Sequence, residues 1–406
     1  MKKTNNPILI GIALYTLLFS LYCQPIDAQL QDQFGQDLLQ LVPPPPPKTD
    51  TAKLSIDPYI TNTFNNHIEL GLSVDPYTSS LAGQENPQLI GLINRFGVNF
   101  QGDLPIIDKK LKIKLSYSPQ YENYNGTDGK LDEFDAFTDS SITEFSYSPF
   151  SNSPEITLSH NLNRMKRILP VYNNTDRLIA LRFGRFLEYN LRIHRFDDES
   201  ELKEDFLLIG STSHRAITRL QFGLLRQMIG KLDYSIENAN YKTNLNNLIL
   251  GISGLEEGEI REDWRHAVSM KLLHTFTKRI VFQEEFNLFM NRSNVDFFNF
   301  QSTEAAFSTF YKLDTGDWFR LRLSQLWVVF KGRGIRDAEG AIMENAGNRS
   351  DRQFTINTQT NWRFDDNISL NLDYKYTYND SNQIDPLYSF LDYQHSILSV
   401  TLRGSY

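Results

Sequence analysis

Near its end the chain alternates almost without fault: Ile368, Leu370, Leu372, Tyr374, Tyr376 and Tyr378 are apolar or aromatic, and Ser369, Asn371, Asp373, Lys375, Thr377 and Asn379 between them are polar. A period of two puts successive side chains on opposite faces of an extended strand, one greasy and one wet. After a polar loop the pattern returns through Leu398, Val400, Leu402, Gly404 and Tyr406, set against Ser399, Thr401, Arg403 and Ser405. Similar alternation, broken by polar loops, fills the chain from residue 53 onward. It predicts strands at about 67–76, 88–101, 110–122, 141–149, 154–164, 178–185, 188–196, 212–229, 231–243, 261–276, 279–291, 296–313, 317–331, 352–364, 367–380 and 391–406. That makes about sixteen. Fourteen is the alternative, with 178–196 as one long strand instead of a hairpin near Gly184.

The connections are of two kinds. Short ones are read at Gly230 and Lys231, at Thr277 to Arg279, at Asp314 to Gly316 and at Asp365 to Asn367. Long polar ones are read at 77–87, 123–139, 244–260, 332–351 and 381–390. Alternating short and long connections suit antiparallel strands that cross a membrane, with tight turns on one side and loops on the other. Aromatic residues are placed to match, Trp318, Trp362, Phe364, Phe276 and Phe282 beside short turns and the three tyrosines of 374–378 toward the other end. The competing arrangement, an aromatic-rich soluble sandwich, fits poorly because strands of roughly 10 to 15 residues are long for one.

The ends add export. Lys2 and Lys3, an apolar run from Ile8 to Tyr22, and Ile26 to Ala28 form a secretory leader cleaved near Ala28, so residues 1–28 are expected to be removed. A retained anchor and lipidation at Cys23, the single cysteine, are the other readings; Tyr22 fits poorly before a lipidated cysteine. Residues 29–52 form a Gln- and Pro-rich linker. Phe34, Leu38 and Leu41 have helical spacing, and Pro43 to Pro47 cannot join a ladder because proline has no N–H. We read it as a stiff periplasmic spacer, with 29–47 either fraying or holding a periplasmic partner.

A terminal alternating strand carrying Leu398, Val400 and Leu402 and closed by the aromatic Tyr406 resembles the C-terminal signal of Gram-negative outer-membrane β-barrel proteins. The resemblance implies an all-β fold: an antiparallel transmembrane barrel over 53–406, preceded by a short periplasmic segment. It further implies recognition of that strand by the barrel-assembly machinery and residence in the outer membrane, in contact with lipid and lipopolysaccharide. It names no subfamily.

Composition agrees with a barrel and excludes other classes. The chain is 40% hydrophobic with 28 Phe and 19 Tyr, yet it has no long apolar run after residue 28, so only a barrel could hide a membrane protein in it. The formal charge of −8 becomes −9 once Lys2, Lys3 and Asp27 leave with the leader, and this argues against nucleic acid, which needs a basic face. No phosphate loop, zinc motif or cysteine pair is present, so no cofactor or metal is expected. Ser159, His160 and Asn161, and likewise Ser213 and His214, are neighbours on strands and point to opposite faces, so neither set makes a nucleophile; a cross-strand serine for His266 is the one remaining route to a hydrolase.

Chemistry is concentrated instead on the polar faces. If the apolar faces meet lipid, then Lys110, Lys112, Lys114, Arg192, Arg215, Arg219, Arg320, Arg322, Arg363 and Arg403 project inward with Glu69, Asp233, Glu237, Glu285, Glu304 and Asp373. A lumen lined by both signs must be wet, because unpaired charge is too costly in a dry core. The expected function is a passive porin-like channel for small hydrophilic solutes, selective through these charges and catalysing no reaction. A non-conducting barrel for adhesion, secretion or anchoring, its lumen charges paired, is the alternative, and a barrel hydrolase the second. Acidic clusters at 128–135, 197–205 and 256–263 are expected on external loops, as solvated surface or as Mg²⁺ or Ca²⁺ bridges to lipopolysaccharide. Glu284, among Phe282, Phe286 and Leu288, is out of pattern. A homo-oligomer is compatible with the sequence, but no residue marks an interface.

Overall fold

The computed structural model describes residues 53–65 and 91–404, apart from 108–109, 127–134, 150–153, 168–172, 197–209, 226, 242–260, 314, 336–342, 344–345, 366 and 383–392. The leader, the linker, the 67–76 segment and Tyr406 lie outside the described residues. Sixteen strands follow in chain order. They are β1 (Lys53–Asn65), β2 (Gly91–Ile107), β3 (Leu111–Gly126), β4 (Ala136–Tyr147), β5 (Ile156–Arg167), β6 (Asn174–Phe183), β7 (Leu187–Phe196) and β8 (Ser211–Leu225), then β9 (Met228–Tyr241), β10 (Glu262–Thr275), β11 (Ile280–Ser293), β12 (Phe300–Lys312), β13 (Trp318–Gly334), β14 (Asn348–Arg363), β15 (Ile368–Ser381) and β16 (Tyr393–Gly404). Each pairs antiparallel with its neighbours in sequence, and β1 closes the ring against β16, with Ile60 opposite Leu402 and Phe64 opposite Leu398.

Seven connections of two to eight residues lie at one rim, and eight of six to twenty-five lie at the other. Local chemistry makes the short turns. Gly184 supplies a φ of 57° between β6 and β7, a left-handed conformation that a side chain would strain. Thr277 Oγ1 accepts the Arg279 and Ile280 N–H groups, and Asp365 Oδ1 accepts those of Asn367 and Ile368.

Register sorts every strand into two faces. Leu181, Leu220 and Leu402 are 48%, 50% and 47% exposed, whereas Thr63, Ser213 and Ser308 on the alternate positions are 4%, 6% and 0% exposed. This is the reverse of a water-soluble protein, and a closed ladder leaves no edge groups unsatisfied. Both conditions are those hydrocarbon imposes on a spanning sheet, so the barrel is a transmembrane one.

Three positions differ from the pattern reading. The first wall strand of the described residues is Lys53–Asn65, earlier in the chain than the expected 67–76, which lies outside them. Pro58 sits within it, opposite Val98 of β2, just beyond the point where pairing with β16 ends at Tyr59. Gly230 and Lys231 belong to β9, which begins at Met228, and not to a turn. Gly230 is needed for space: a Cβ there would overlap the Phe222 ring on the facing strand. Trp318 falls on the inner register opposite Asn361, and Phe319 takes the outward place beside that turn.

Candidate pore-lining wall

The positions alternate to the exposed apolar rows face the enclosed space, and their parity follows from the ladder. Lys112 and Lys114 on β3, Arg192 on β7, Arg215 and Arg219 on β8, Glu237 on β9, Glu285 on β11, Glu304 on β12, Arg320 and Arg322 on β13 and Asp373 on β15 all carry the inner parity, with Lys110 in the turn preceding β3. Leu398, Val400 and Leu402 carry the outer one, opposite Tyr374, Leu372 and Leu370.

Most of the inner charges are used up in building the wall. Arg192 holds Asp176 at 2.8 Å, and Arg219 and Arg182 share Glu188 at 2.8 and 2.9 Å. Arg322 bridges Glu285 at 3.0 Å and Glu304 at 2.9 Å, while Lys271 approaches Glu285 from the other side at 3.7 Å. Glu237 accepts from Arg265 at 3.2 Å. Arg215 donates to Ser235 Oγ at 3.1 Å, and Arg320 donates to Gln359 and lies 5.1 Å from the centre of the Phe310 ring. Asp373 accepts the amides of Asn357 and Gln359 at 2.7 and 2.6 Å. Opposite charges across neighbouring strands meet because facing Cβ atoms are only about 5 Å apart.

The lysines are different. Lys114 stands between Asp103 of β2 and Glu144 of β4, and Lys112 between Pro105 and Ser146. All three lysines are exposed, and among the described residues none closes a salt bridge. Three like charges thus follow one another at the start of β3 and are presented to water, with Asp103 and Glu144 directly across from Lys114 and no carboxylate directly across from Lys112.

The richest inner cluster was not among the expected lumen residues. Asp263 is fully buried between Arg261 at 2.6 Å and Arg265 at 3.4 Å, and Arg265 also donates to the Tyr241 hydroxyl. Arg261 lies 3.4 Å over the Phe298 ring, because the short loop between β11 and β12, with its single 3-10 turn at Asp296–Phe298, folds back onto the wall and offers the Phe298 carbonyl to Asn291 at 2.7 Å. Glu262 and Asp263 therefore open a strand and are not loop surface. Asp135 is likewise buried, accepting from Tyr121, Asn123 and the Tyr124 N–H. Part of the signal was present, since Arg261, Asp263 and Arg265 alternate on one side of the chain, whereas Arg95 and Glu122 meet only across the β2–β3 ladder, at 2.7 Å.

Where β1 meets β16 the wall carries hydroxyls, with Thr61 and Thr401 at 2.9 Å and Thr63 and Ser399 at 3.0 Å. Beside them lies a polar recess of about 720 Å³ lined by residues that include Tyr59, Arg95, Gln120, Asp373 and Arg403. The histidines weighed for hydrolysis face the other way. His214 pairs with the Tyr189 hydroxyl at 2.6 Å and His266 with that of Tyr234 at 3.0 Å, on the outer side. Glu284 also faces outward, opposite Leu272 and Phe307.

No family model matches the chain, and no curated protein matches it. Among solved structures it is similar to OccAB1 of Acinetobacter baumannii, with 9% identity, 87% of this chain and 96% of that chain covered and a TM-score of 0.47. It is similar also to OprD of Pseudomonas aeruginosa (10% identity, 87% and 95% covered, TM-score 0.44) and to OpdK of the same organism with vanillate (8% identity, 87% and 99% covered, TM-score 0.43).

Proposed function

We propose that the barrel is a passive channel for small hydrophilic solutes across the outer membrane, with Lys110, Lys112 and Lys114 biasing it toward anions. The observation that carries this reading is the division of the inner charges. Paired arginines and carboxylates form the wall, and the lysine run presents exposed ammonium groups outside those ion pairs near the short-turn rim. Fixed charge beside a narrow aqueous path concentrates counter-ions and repels co-ions, and this sorts solutes without binding them tightly. The mature chain refolded into a planar bilayer is expected to give stepwise conductance. A salt gradient should then give a reversal potential of the sign for anions.

A second reading has one observation in its favour. The inner ion pairs and the loop folded onto the wall through Phe298 and Arg261 fit a barrel that serves as an anchor or an adhesion element and does not conduct. The same bilayer experiment separates the two, because that barrel would insert and give no steps.

A further inference from the structure

The outward rows of three adjacent strands change character at the long-loop rim. Rising from the short turns, the outward positions of β5 read Ile156, Leu158, His160, Leu162, Arg164 and Lys166. Those of β6 read Phe183, Leu181, Ile179, Arg177 and Thr175, and those of β7 read Leu187, Tyr189, Leu191, Ile193 and Arg195. Arg164 lies opposite Thr175, which lies opposite Arg195, and Arg177 lies one step lower, opposite Leu162 and Ile193. All four cations are exposed. They spread over two strand spacings, about 10 Å.

One carboxylate accompanies them on this face among the described residues. Asp139 on β4 stands opposite Arg164 and meets its Nε at 3.1 Å. Elsewhere on the outer rim two arginines face acids: Arg352 stands directly opposite Asp380, and Arg292 is diagonal to Glu262. Among the described residues the β5–β7 rim gathers four positive groups against one negative.

Charge on a lipid-facing wall is costly at mid-depth and cheap near the interface, where long side chains reach the headgroups. An excess of arginine there asks for phosphate, which the planar guanidinium binds through paired N–H groups. With Arg164 and Lys166 on one side of the patch and Arg195 on the other, two phosphates are served better than one. We infer that the outer rim of β5–β7 is a binding site for a glycolipid of the outer leaflet that carries a phosphate at each end of its headgroup, as the lipid A part of lipopolysaccharide does. The inference shares with the proposed function the outward face meeting lipid, but it does not depend on conduction.

The test uses the full chain in detergent, with retention of diphosphoryl lipid A, monophosphoryl lipid A and phosphatidylglycerol compared by native mass spectrometry. Each cation near an anionic headgroup contributes roughly fivefold in affinity, so the combined Lys166→Gln, Arg177→Gln, Arg195→Gln variant should lose on the order of a hundredfold. The control Arg352→Gln should stay within about twofold. Wild-type retention should fall from diphosphoryl to monophosphoryl lipid A and again to phosphatidylglycerol. Undiminished retention by the triple variant, equal retention of phosphatidylglycerol, or displacement by inorganic phosphate at equal concentration would each overturn the site. If the triple variant lacks the strand signal in circular dichroism, Lys166→Gln and Arg195→Gln are measured singly and must each lower retention. Loss of lipid with conductance unchanged separates this site from the pore.

Discussion

Replacing both Lys112 and Lys114 with glutamate changes the charge presented to the lumen by four units while leaving the ion pairs of the wall in place. Its size follows from the geometry. Sixteen strands about 4.8 Å apart and tilted about 40° close a wall about 16 Å in radius, and an extended lysine brings its ammonium to about 10 Å from the axis. At that distance each unit charge acts on a monovalent ion with about 0.4 kcal/mol in water, and screening at roughly 0.1 M salt reduces the four-unit change to about 0.6 kcal/mol. The barrier rises for anions and falls for cations, so the ratio of cation to anion permeability should increase roughly eightfold. The reversal potential of the refolded chain under a potassium chloride gradient measures this directly. A ratio unchanged to within about twofold, with conductance intact, would place the lysines away from the ion path and refute the assignment.

Three further outcomes are expected. Arg322→Ala leaves Glu285 and Glu304 facing each other without their shared donor, and it should lower stability to urea in lipid vesicles by about 1–3 kcal/mol, the range of hydrogen bonds to charged groups. Gly230→Ala drives a methyl group into the Phe222 ring and should cost about 1–3 kcal/mol in the same assay, partly recovered when Phe222→Leu is added. In the turn before β13 the Asp317 carboxylate accepts the Thr315 hydroxyl and the Arg363 N–H, and these bonds hold its pKa below the ordinary carboxylate value. A depressed folded-state pKa contributes stability above the unfolded value and loses it as pH falls through the folded one. The thermal stability gap between wild type and Asp317→Ala should therefore be full at about pH 5 and close toward about pH 2.

Much of this wall is legible in the pattern alone, for one reason: a sheet with lipid on one side and water on the other enforces a period of two over its full length. Leu370, Leu372 and Tyr374 against Asn371 and Asp373 could be placed on faces without any partner strand being known. The hairpin at Gly184 was readable too, because parity demanded an even number of strands and glycine offered the turn. What the pattern could not give is the pairing between strands. Asp263 looks like loop acid until Arg261 and Arg265 flank it and Phe298 folds over them, and β1 was obscured because Pro58 and Asn62 interrupt its outward row. Gly230 was misread for a different reason. A glycine followed by a lysine suggests a turn, and only the facing strand reveals the aromatic ring that requires its missing side chain. The lysine run was visible, but which inner charges stay unpaired depends on cross-strand neighbours that no single strand shows.

The central claim is that the apolar rows face hydrocarbon and the polar rows face enclosed water. Spin labels attached to single cysteines along residues 319–329 of β13, in a Cys23→Ser background and reconstituted in bilayers, test it most directly. Accessibility to oxygen should peak at Phe319, Leu321, Leu323, Gln325, Trp327 and Val329, and accessibility to a water-soluble nickel complex at the positions between them. Loss of that two-residue oscillation, or its inversion, would contradict the account.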